Sequence, residues 1–236
     1  MSTKIEKTER TEEILQMVQE KMPDCICQMT KHGMEIEIYE TALLDWEEVK
    51  TRVYKKVVNY ERNQERLLNI LHQRYLDLAE VYYIRIPLSE EGWGTCEITD
   101  VLLKTWGIQE QELREQAELN MENDSYQMVS VAQVLNFPEG LEPEFYILRN
   151  QKNIFSAGVI SHPKLMKQFM KQIGGDGYLI PSSVEELLII PVKEGICKEM
   201  LRTMILEVNQ ECVSLNEFLS NQLYYCHSES GEVEIC

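Results

Sequence analysis

The chain has 236 residues, enough for one large domain or two small ones. Its 40 acidic and 23 basic residues give a formal charge of −17, which repels the phosphates of nucleic acid and anionic lipid, so we predict binding to neither. No Lys or Arg follows Arg202, whereas six Glu residues do, and we expect an acidic surface at the C-terminal end.

The N-terminal residues predict a small lobe of one helix and one hairpin. Residues 11–22 have the apolar spacing of an amphipathic helix. Residues 25–39 alternate apolar side chains around Gly33, which indicates a hairpin with its turn at the glycine. We therefore divide the chain into an N-terminal lobe, residues 1–44, and a main body, residues 45–236.

The first half of the main body predicts strands alternating with helices. Residues 52–60 fit either a helix stripe or a strand, and their β-branched and aromatic content favours the strand. A strand at 76–86 follows, and Gly107 ends a helix at 101–106. The next helix, at 109–121, carries an acidic face that we expect to be solvated: Glu112, Glu115 and Glu118.

The sequence of the second half of the main body predicts two helices and most of the strands of a sheet. Pro163 at a first helical position and Gly174 after the last one predict a helix at 163–173. A further helix at 196–211 is expected to turn three side chains towards the core: Met200, Met204 and Val208. We predict strands at 145–149, 155–161, 178–181 and 187–192, and a closing hairpin at 223–235.

These elements predict an α+β fold, with a mixed or mainly antiparallel sheet flanked on one side by helices. Alternate positions on adjacent strands should face those helices. The residues that we predict to be in this core are Phe145, Ile147, Phe155, Leu179, Leu188 and Ile190.

Three stretches in a fixed order resemble a bacterial family of uncharacterised proteins that is common in gut anaerobes. They begin DWEEVKTRVYKKVVNY at residue 45, ITDVLLKTWGIQ at residue 98 and FYILRNQKNIFSAGVISHPK at residue 145. The resemblance runs from about residue 45 to the C-terminus, and the region before it looks shorter than is usual for the family. It implies an α+β fold and a bacterial or mobile-element origin, and it implies no reaction, catalytic residue or cofactor.

A polar cluster at the end of the predicted strand 52–60 is the candidate binding site. Its members are Asn59, Tyr60, Arg62 and Asn63. Loops in such positions often carry binding groups. The alternative interpretation is an Asn-based turn that leaves Arg62 exposed.

Catalytic, metal and cofactor sites are not predicted. A thiol nucleophile would need His72, His162 or His227 as a base, but Cys226 and His227 are adjacent and should point to opposite faces of a strand. We expect His162, just before Pro163, to be a neutral capping or surface residue.

Asp77 is a polar residue within an apolar run, and we expect it to form a structural salt bridge with Arg74 or Arg85.

Cysteine usage predicts a cytoplasmic protein. The seven cysteines are an odd number without the spacing of a disulfide scaffold, which is typical of free thiols. Cys25 and Cys27 have no second close pair to complete a zinc site. The polar start, MSTKIEKTER, lacks the apolar stretch of a secretion signal.

Three classes of function are consistent with these features. The first is a non-catalytic protein that binds another protein, or a second copy of itself, through its sheet or its acidic end. The second is an acidic inhibitor that imitates nucleic acid and occupies the positive channel of a nuclease or DNA-binding protein. The third, with less support, is a small thiol hydrolase.

Overall fold

The computed structural model describes residues 25–30, 33–38, 45–87, 93–134, 145–181, 183–211, 213–214 and 217–236. The predicted helix at 11–22 lies outside these ranges. The predicted hairpin is confirmed: strands β1 (Cys25–Thr30) and β2 (Gly33–Ile38) pair antiparallel. Residues 31 and 32 of its turn are outside the described ranges.

The first half of the main body forms an antiparallel sheet around one long central strand, β5. Its strands are β3 (Val53–Asn59), β4 (His72–Tyr75), β5 (Leu78–Pro87) and β6 (Trp93–Glu97). Strand β3 pairs with one edge of β5, and β4 and β6 pair with successive parts of the other edge. The helices of this half are α1 (Trp46–Val49), α2 (Gln64–Leu67), α3 (Asp100–Trp106) and α4 (Glu110–Glu122). The predicted strand at 52–60 is confirmed.

The second half forms a six-stranded antiparallel sheet in the order β12-β11-β9-β10-β8-β7. Its strands are β7 (Tyr126–Ser130), β8 (Tyr146–Asn150), β9 (Gly177–Ile180), β10 (Leu187–Pro191), β11 (Tyr224–Cys226) and β12 (Val233–Ile235). The accompanying helices are α5 (Val131–Val134), α6 (Pro163–Ile173) and α7 (Lys198–Glu211). The α+β class is therefore confirmed, with antiparallel pairing throughout the described strands.

Helix α6 begins and ends where its local sequence predicts. Pro163 takes the first helical position, where a missing N–H costs nothing. Gly174 follows the last turn in the left-handed region, with φ +83°, and its N–H bonds back to the helix. The buried side of α6 covers one face of the six-stranded sheet through Leu165, Met166 and Phe169.

Helices cover both faces of this sheet, so the expectation of a one-sided helical layer is wrong. Leu179 on β9 packs with α6, whereas Ile190 on β10 packs with Leu201 and Ile205 of α7. The pairing of Leu179 with Ile189 explains this, because the residue after Ile189 must point to the opposite face.

The predicted core residues divide accordingly. Leu179 and Ile190 are buried as predicted. The other four are half-buried: Phe145, Ile147, Phe155 and Leu188.

The predicted strand at 155–161 is wrong. Ser156–Ser161 is a fully buried 3₁₀ helix, which begins after Phe155 turns the chain with φ +46°. Its small residues allow the backbone to approach β3 closely: a Cβ on Gly158 would lie 2.8 Å from the Lys55 carbonyl oxygen. A strand would not allow this contact, and tertiary packing has overridden the β-branched content.

The two sheets share one hydrophobic core. Val57 of β3 and Leu78 of β5 belong to the same buried cluster as Leu148 and Leu179 of the six-stranded sheet. The described part of the main body is thus packed together across both sheets.

Candidate functional site

The predicted cluster at the end of β3 is brought together, and its amide groups hold a turn. The Asn59 side-chain N–H donates to the Leu219 carbonyl oxygen at 2.6 Å. The Asn59 side-chain oxygen accepts from the Arg62 backbone N–H at 2.8 Å, and Asn63 donates to the Asn59 carbonyl at 2.8 Å. The Arg62 guanidinium lies 4.2 Å from the ring centroid of Phe218. These contacts describe an Asn-based turn, and a role in binding stays a prediction.

Tyr60, the fourth member, lines a groove of about 380 Å³. The residues that line this groove are Tyr60, Gln64, Glu65, Leu67, Leu68 and His72. Leu68 is 85% exposed, and the Arg74 guanidinium stacks 4.5 Å from the Tyr60 ring centroid. The groove is mixed in polarity, and its charged and apolar groups do not specify one ligand.

Sequence reasoning missed an ionic cluster around Lys55, which is 2% exposed. Its ammonium donates to Glu80 at 2.9 Å, to the Ser161 carbonyl oxygen at 2.8 Å and to Glu118. The cluster joins β3, β5, α4 and the 3₁₀ helix. Glu118 is therefore not simply solvated as expected, whereas Glu115 is exposed. The one available signal was a lysine inside an apolar strand.

His162 completes this cluster. Its Nδ1 accepts the Leu165 backbone N–H at 3.3 Å, which confirms the predicted capping role, and its Nε2 lies 2.8 Å from a Glu118 oxygen. Both contacts are satisfied by one neutral tautomer with the proton on Nε2. Because both ring nitrogens make contacts within the protein, the imidazole has a structural role.

Glu118 should make stability depend on pH. Burial would raise its pKa, but the His162 hydrogen bond and the Lys55 charge outweigh burial, and the pKa is lowered. Because the folded-state pKa lies below the unfolded value of about 4.3, the stabilisation is present above that pH and is lost as pH falls through the folded value. In denaturant titrations from about pH 7 to pH 3, the wild type should lose more unfolding free energy than Glu118→Gln. Equal losses would contradict this.

A second ionic cluster lies on the opposite face of β3. The Lys56 ammonium is 2.8 Å from Glu97, a carboxylate that also binds Arg66. The Phe155 ring lies over this ammonium at 4.2 Å. Burial lowers the pKa of Lys56, although the Glu97 charge acts in the opposite direction. The amine is enclosed between a carboxylate and an aromatic ring, an arrangement that links β3 to β6 and to the loop before the 3₁₀ helix.

Asp77 does not form the predicted salt bridge with Arg74 or Arg85. It accepts hydrogen bonds from the Ser220 hydroxyl at 2.7 Å and from the Tyr224 hydroxyl. The reason is that the turn between β4 and β5 points towards the six-stranded sheet, where these hydroxyls lie.

Arg85 instead pairs with Asp124 at 2.7 Å and stacks 3.5 Å from the Tyr54 ring centroid.

The thiols give little support to nucleophilic chemistry. Cys226 is buried, and burial raises the pKa of its thiol to about 12, so the thiolate is scarce at neutral pH. His227 is exposed, in agreement with the predicted opposite orientation of these neighbours. Cys197 is exposed, and its thiol contacts a Glu199 oxygen at 3.5 Å.

One part of the six-stranded sheet carries partly exposed apolar side chains. The register aligns Val129 of β7, Ile147 of β8 and Leu188 of β10, so all three point to the α7 side of the sheet. All three are half-buried, and Val129 and Ile147 lie outside every hydrophobic cluster formed by the described residues. Six strands span about 24 Å and a helix about 10 Å, so α7 alone cannot cover this face.

Helix α7 turns a second apolar stripe towards this region. Met200, Met204 and Val208 were expected to face the core. This is wrong for Met200, which is 72% exposed, and for Val208, which is 37% exposed, whereas Met204 is half-buried and packs against the cluster that contains Leu201 and Ile205. The stripe at Leu201, Ile205 and Asn209, displaced by one residue, is buried instead.

The orientation of α7 follows from its basic residues. The Lys198 ammonium lies 5.5 Å from the ring centroid of Tyr178 on β9, and Cys236, just after β12, packs against the buried cluster that contains Leu201 and Ile205, so we place this flank on the β12 side. At about 100° per residue, the stripe of Met200 lies on the other flank, towards β8 and β7. We call the combined surface the open face; its residues are Val129, Ile147, Leu188, Met200, Met204 and Val208.

The surroundings of the open face are mainly acidic. Glu207 and Glu211 are exposed on α7, and Glu186 comes directly before β10. Arg149 of β8 provides one positive charge on the same side of the sheet as Ile147. Two of the acidic residues predicted to form the C-terminal surface, Glu207 and Glu211, are therefore close to apolar side chains of the same helix.

Within the described ranges, no group of three or more His, Cys, Asp or Glu side chains is arranged to hold a metal ion. None of the helices in the described part of the chain is long and apolar enough to cross a membrane.

Comparison with known proteins identifies the family without adding an activity. No curated protein and no solved structure matches the chain. The Family of unknown function (DUF5688) matches residues 3–228, so the predicted resemblance to a family of uncharacterised proteins is confirmed, and the match extends further towards the N-terminus than expected. This chain therefore belongs to the DUF5688 family.

Proposed function

We propose that this chain is a protein-binding domain that acts through the open face and not by catalysis. The observation that carries the proposal is the partly exposed apolar surface formed by the strands β7, β8 and β10 together with α7. On the other side of the same sheet, Leu148 of β8 and Leu187 of β10 are buried in the cluster that includes α6, and Met128 of β7 packs against that cluster. Apolar surface of this kind, rimmed by charges, is typical of a protein contact.

The enclosed charges support binding over catalysis. The Lys55 and Lys56 ammonium groups are each held by carboxylates, and His162 has both nitrogens engaged. Groups that are held in this way stabilise the fold more readily than they transfer protons to a substrate.

We also propose a cytoplasmic location. Three described cysteines are free thiols, as expected in a reducing compartment: Cys197, Cys226 and Cys236.

Substitutions on the two flanks of α7 test the proposed function. Met200→Lys/Val208→Lys places two charges in the open face and should abolish capture of a specific protein from a lysate of the cells in which the chain occurs. The matched control, Thr203→Lys/Leu206→Lys, adds the same charge at exposed positions outside the open face. It should capture the protein as the wild type does, and circular dichroism should show equal folding of both variants. Equal capture by both variants, or no specific capture by the wild type, would overturn the proposal.

The nucleic-acid-mimicking inhibitor is the second candidate, favoured by the net charge of −17 and the acidic C-terminal end. Binding by mimicry would weaken steeply with salt, because screening shortens the reach of the carboxylates. Substitution of the apolar stripe would then leave capture nearly unchanged. The same pull-down, repeated at high ionic strength, distinguishes the two functions.

A further inference from the structure

We infer that the open face receives an amphipathic α-helix of a partner protein, with Lys or Arg on the rim of that helix. This inference rests on the proposed function and specifies its partner. It follows from the shape of the surface, the spacing of its stripe and its charge.

The shape of the open face fits a second helix beside α7. Val129, Ile147 and Leu188 form an apolar floor across three neighbouring strands, and α7 stands beside it as a wall. A helix packs about 10 Å above a sheet, the layer that α7 already occupies. An incoming helix would therefore contact floor and wall at once.

The spacing of the wall also favours a helix. Met200, Met204 and Val208 are four residues apart, and such a row forms the ridge that fits a groove between side chains of a neighbouring helix. Two of the three are methionines, whose flexible side chains adapt to the partner surface.

Charge favours a basic partner over a second copy of this chain. Glu207 and Glu211 of α7 border the open face, and on the described strands beneath it Arg149 of β8 carries a positive charge. Two copies joined through this face would bring their own α7 carboxylates together. A helix with Lys or Arg beside its apolar stripe would instead be attracted and correctly oriented.

A labelled synthetic helix tests this inference directly. The probe is a peptide of about 18 residues, five turns, with Leu at helical spacing and Lys on both sides of the stripe. Its fluorescence anisotropy should report saturable binding to the wild-type protein. Met200→Lys/Val208→Lys should weaken binding at least about tenfold. The charge-matched Thr203→Lys/Leu206→Lys should weaken it much less.

Two control peptides separate shape from charge. One has the same composition in an order that breaks the apolar stripe, and the other carries Glu in place of Lys. Both should bind at least about tenfold more weakly than the probe. Equal binding of the broken-stripe peptide, or equal effects of the two protein variants, would overturn the inference.

Photo-cross-linking to the natural partner distinguishes this inference from the proposed function. Met200→benzoylphenylalanine should cross-link, in the lysate, to a basic segment with helical apolar spacing. Cross-links to an extended or acidic segment of a specifically captured protein would overturn the helix inference and leave the proposed function standing. Cross-links to a second copy, with a dimer in sedimentation equilibrium, would also overturn it.

Discussion

Lys55→Met lowers the free energy of unfolding by about 3–5 kcal/mol, because it leaves the buried carboxylate of Glu80 without its cation. Glu80 is 7% exposed and would lose its ion pair with Lys55, and the Ser161 carbonyl would lose a hydrogen bond. Urea denaturation followed by circular dichroism measures the change.

A surface lysine supplies the control for this result. Lys50 pairs with Glu47 three residues away and is much more exposed than Lys55, so Lys50→Met should cost less than about 1 kcal/mol. The double variant Lys55→Met/Glu80→Leu should recover part of the stability lost in the single variant, since it removes the orphaned charge. If Lys55→Met and Lys50→Met cost the same, the buried cluster does not stabilise the fold as described.

Gly231→Ala destabilises the protein by about 2–5 kcal/mol, through backbone strain and steric overlap together. Gly231 has φ +78° in the turn between β11 and β12, in the left-handed region that disfavours a side chain. A Cβ there would overlap the Pro163 carbonyl oxygen and lie 2.9 Å from the Lys167 nitrogen. The hairpin would have to move away from α6.

Gly195→Ala measures the backbone strain alone, without the steric overlap that Gly231→Ala adds. Gly195 has φ +88°, and nothing lies within 4 Å of an added Cβ, so only the strain of about 1–2 kcal/mol is expected. Thermal unfolding of both variants should place Gly231→Ala clearly below Gly195→Ala. Indistinguishable melting temperatures would mean that the hairpin does not pack on α6.

Local signals predicted the helix boundaries well. Pro163 and Gly174 determine the ends of α6 through their own backbone preferences, which need no knowledge of the rest of the fold. Thr99 and Gly107 do the same for α3.

Predictions failed where the outcome depends on distant contacts. Residues 156–161 form a 3₁₀ helix because β3 lies against Gly158, a contact made across about a hundred residues of chain. Helix α7 offers two adjacent apolar stripes, and periodicity alone does not say which one meets the sheet.

The ionic clusters were missed for a similar reason. Lys55 and Lys56 look like polar interruptions of a strand until Glu118 and Glu97 are known to lie beside them. The Asn59 turn was foreseen because Asn, Arg and Asn are close in sequence. Sequence reasoning found the local polar contacts and missed the long-range ones.

The hydrophobic cluster that contains Val57, Leu78, Leu148 and Leu179 determines the minimal unit able to fold. Cutting the chain between the two sheets would expose apolar surface of both fragments to water. The free-energy cost is about 25 cal/mol for each Å² exposed. Neither half of the main body is a candidate for independent expression. Any excised version of this protein has to retain both sheets.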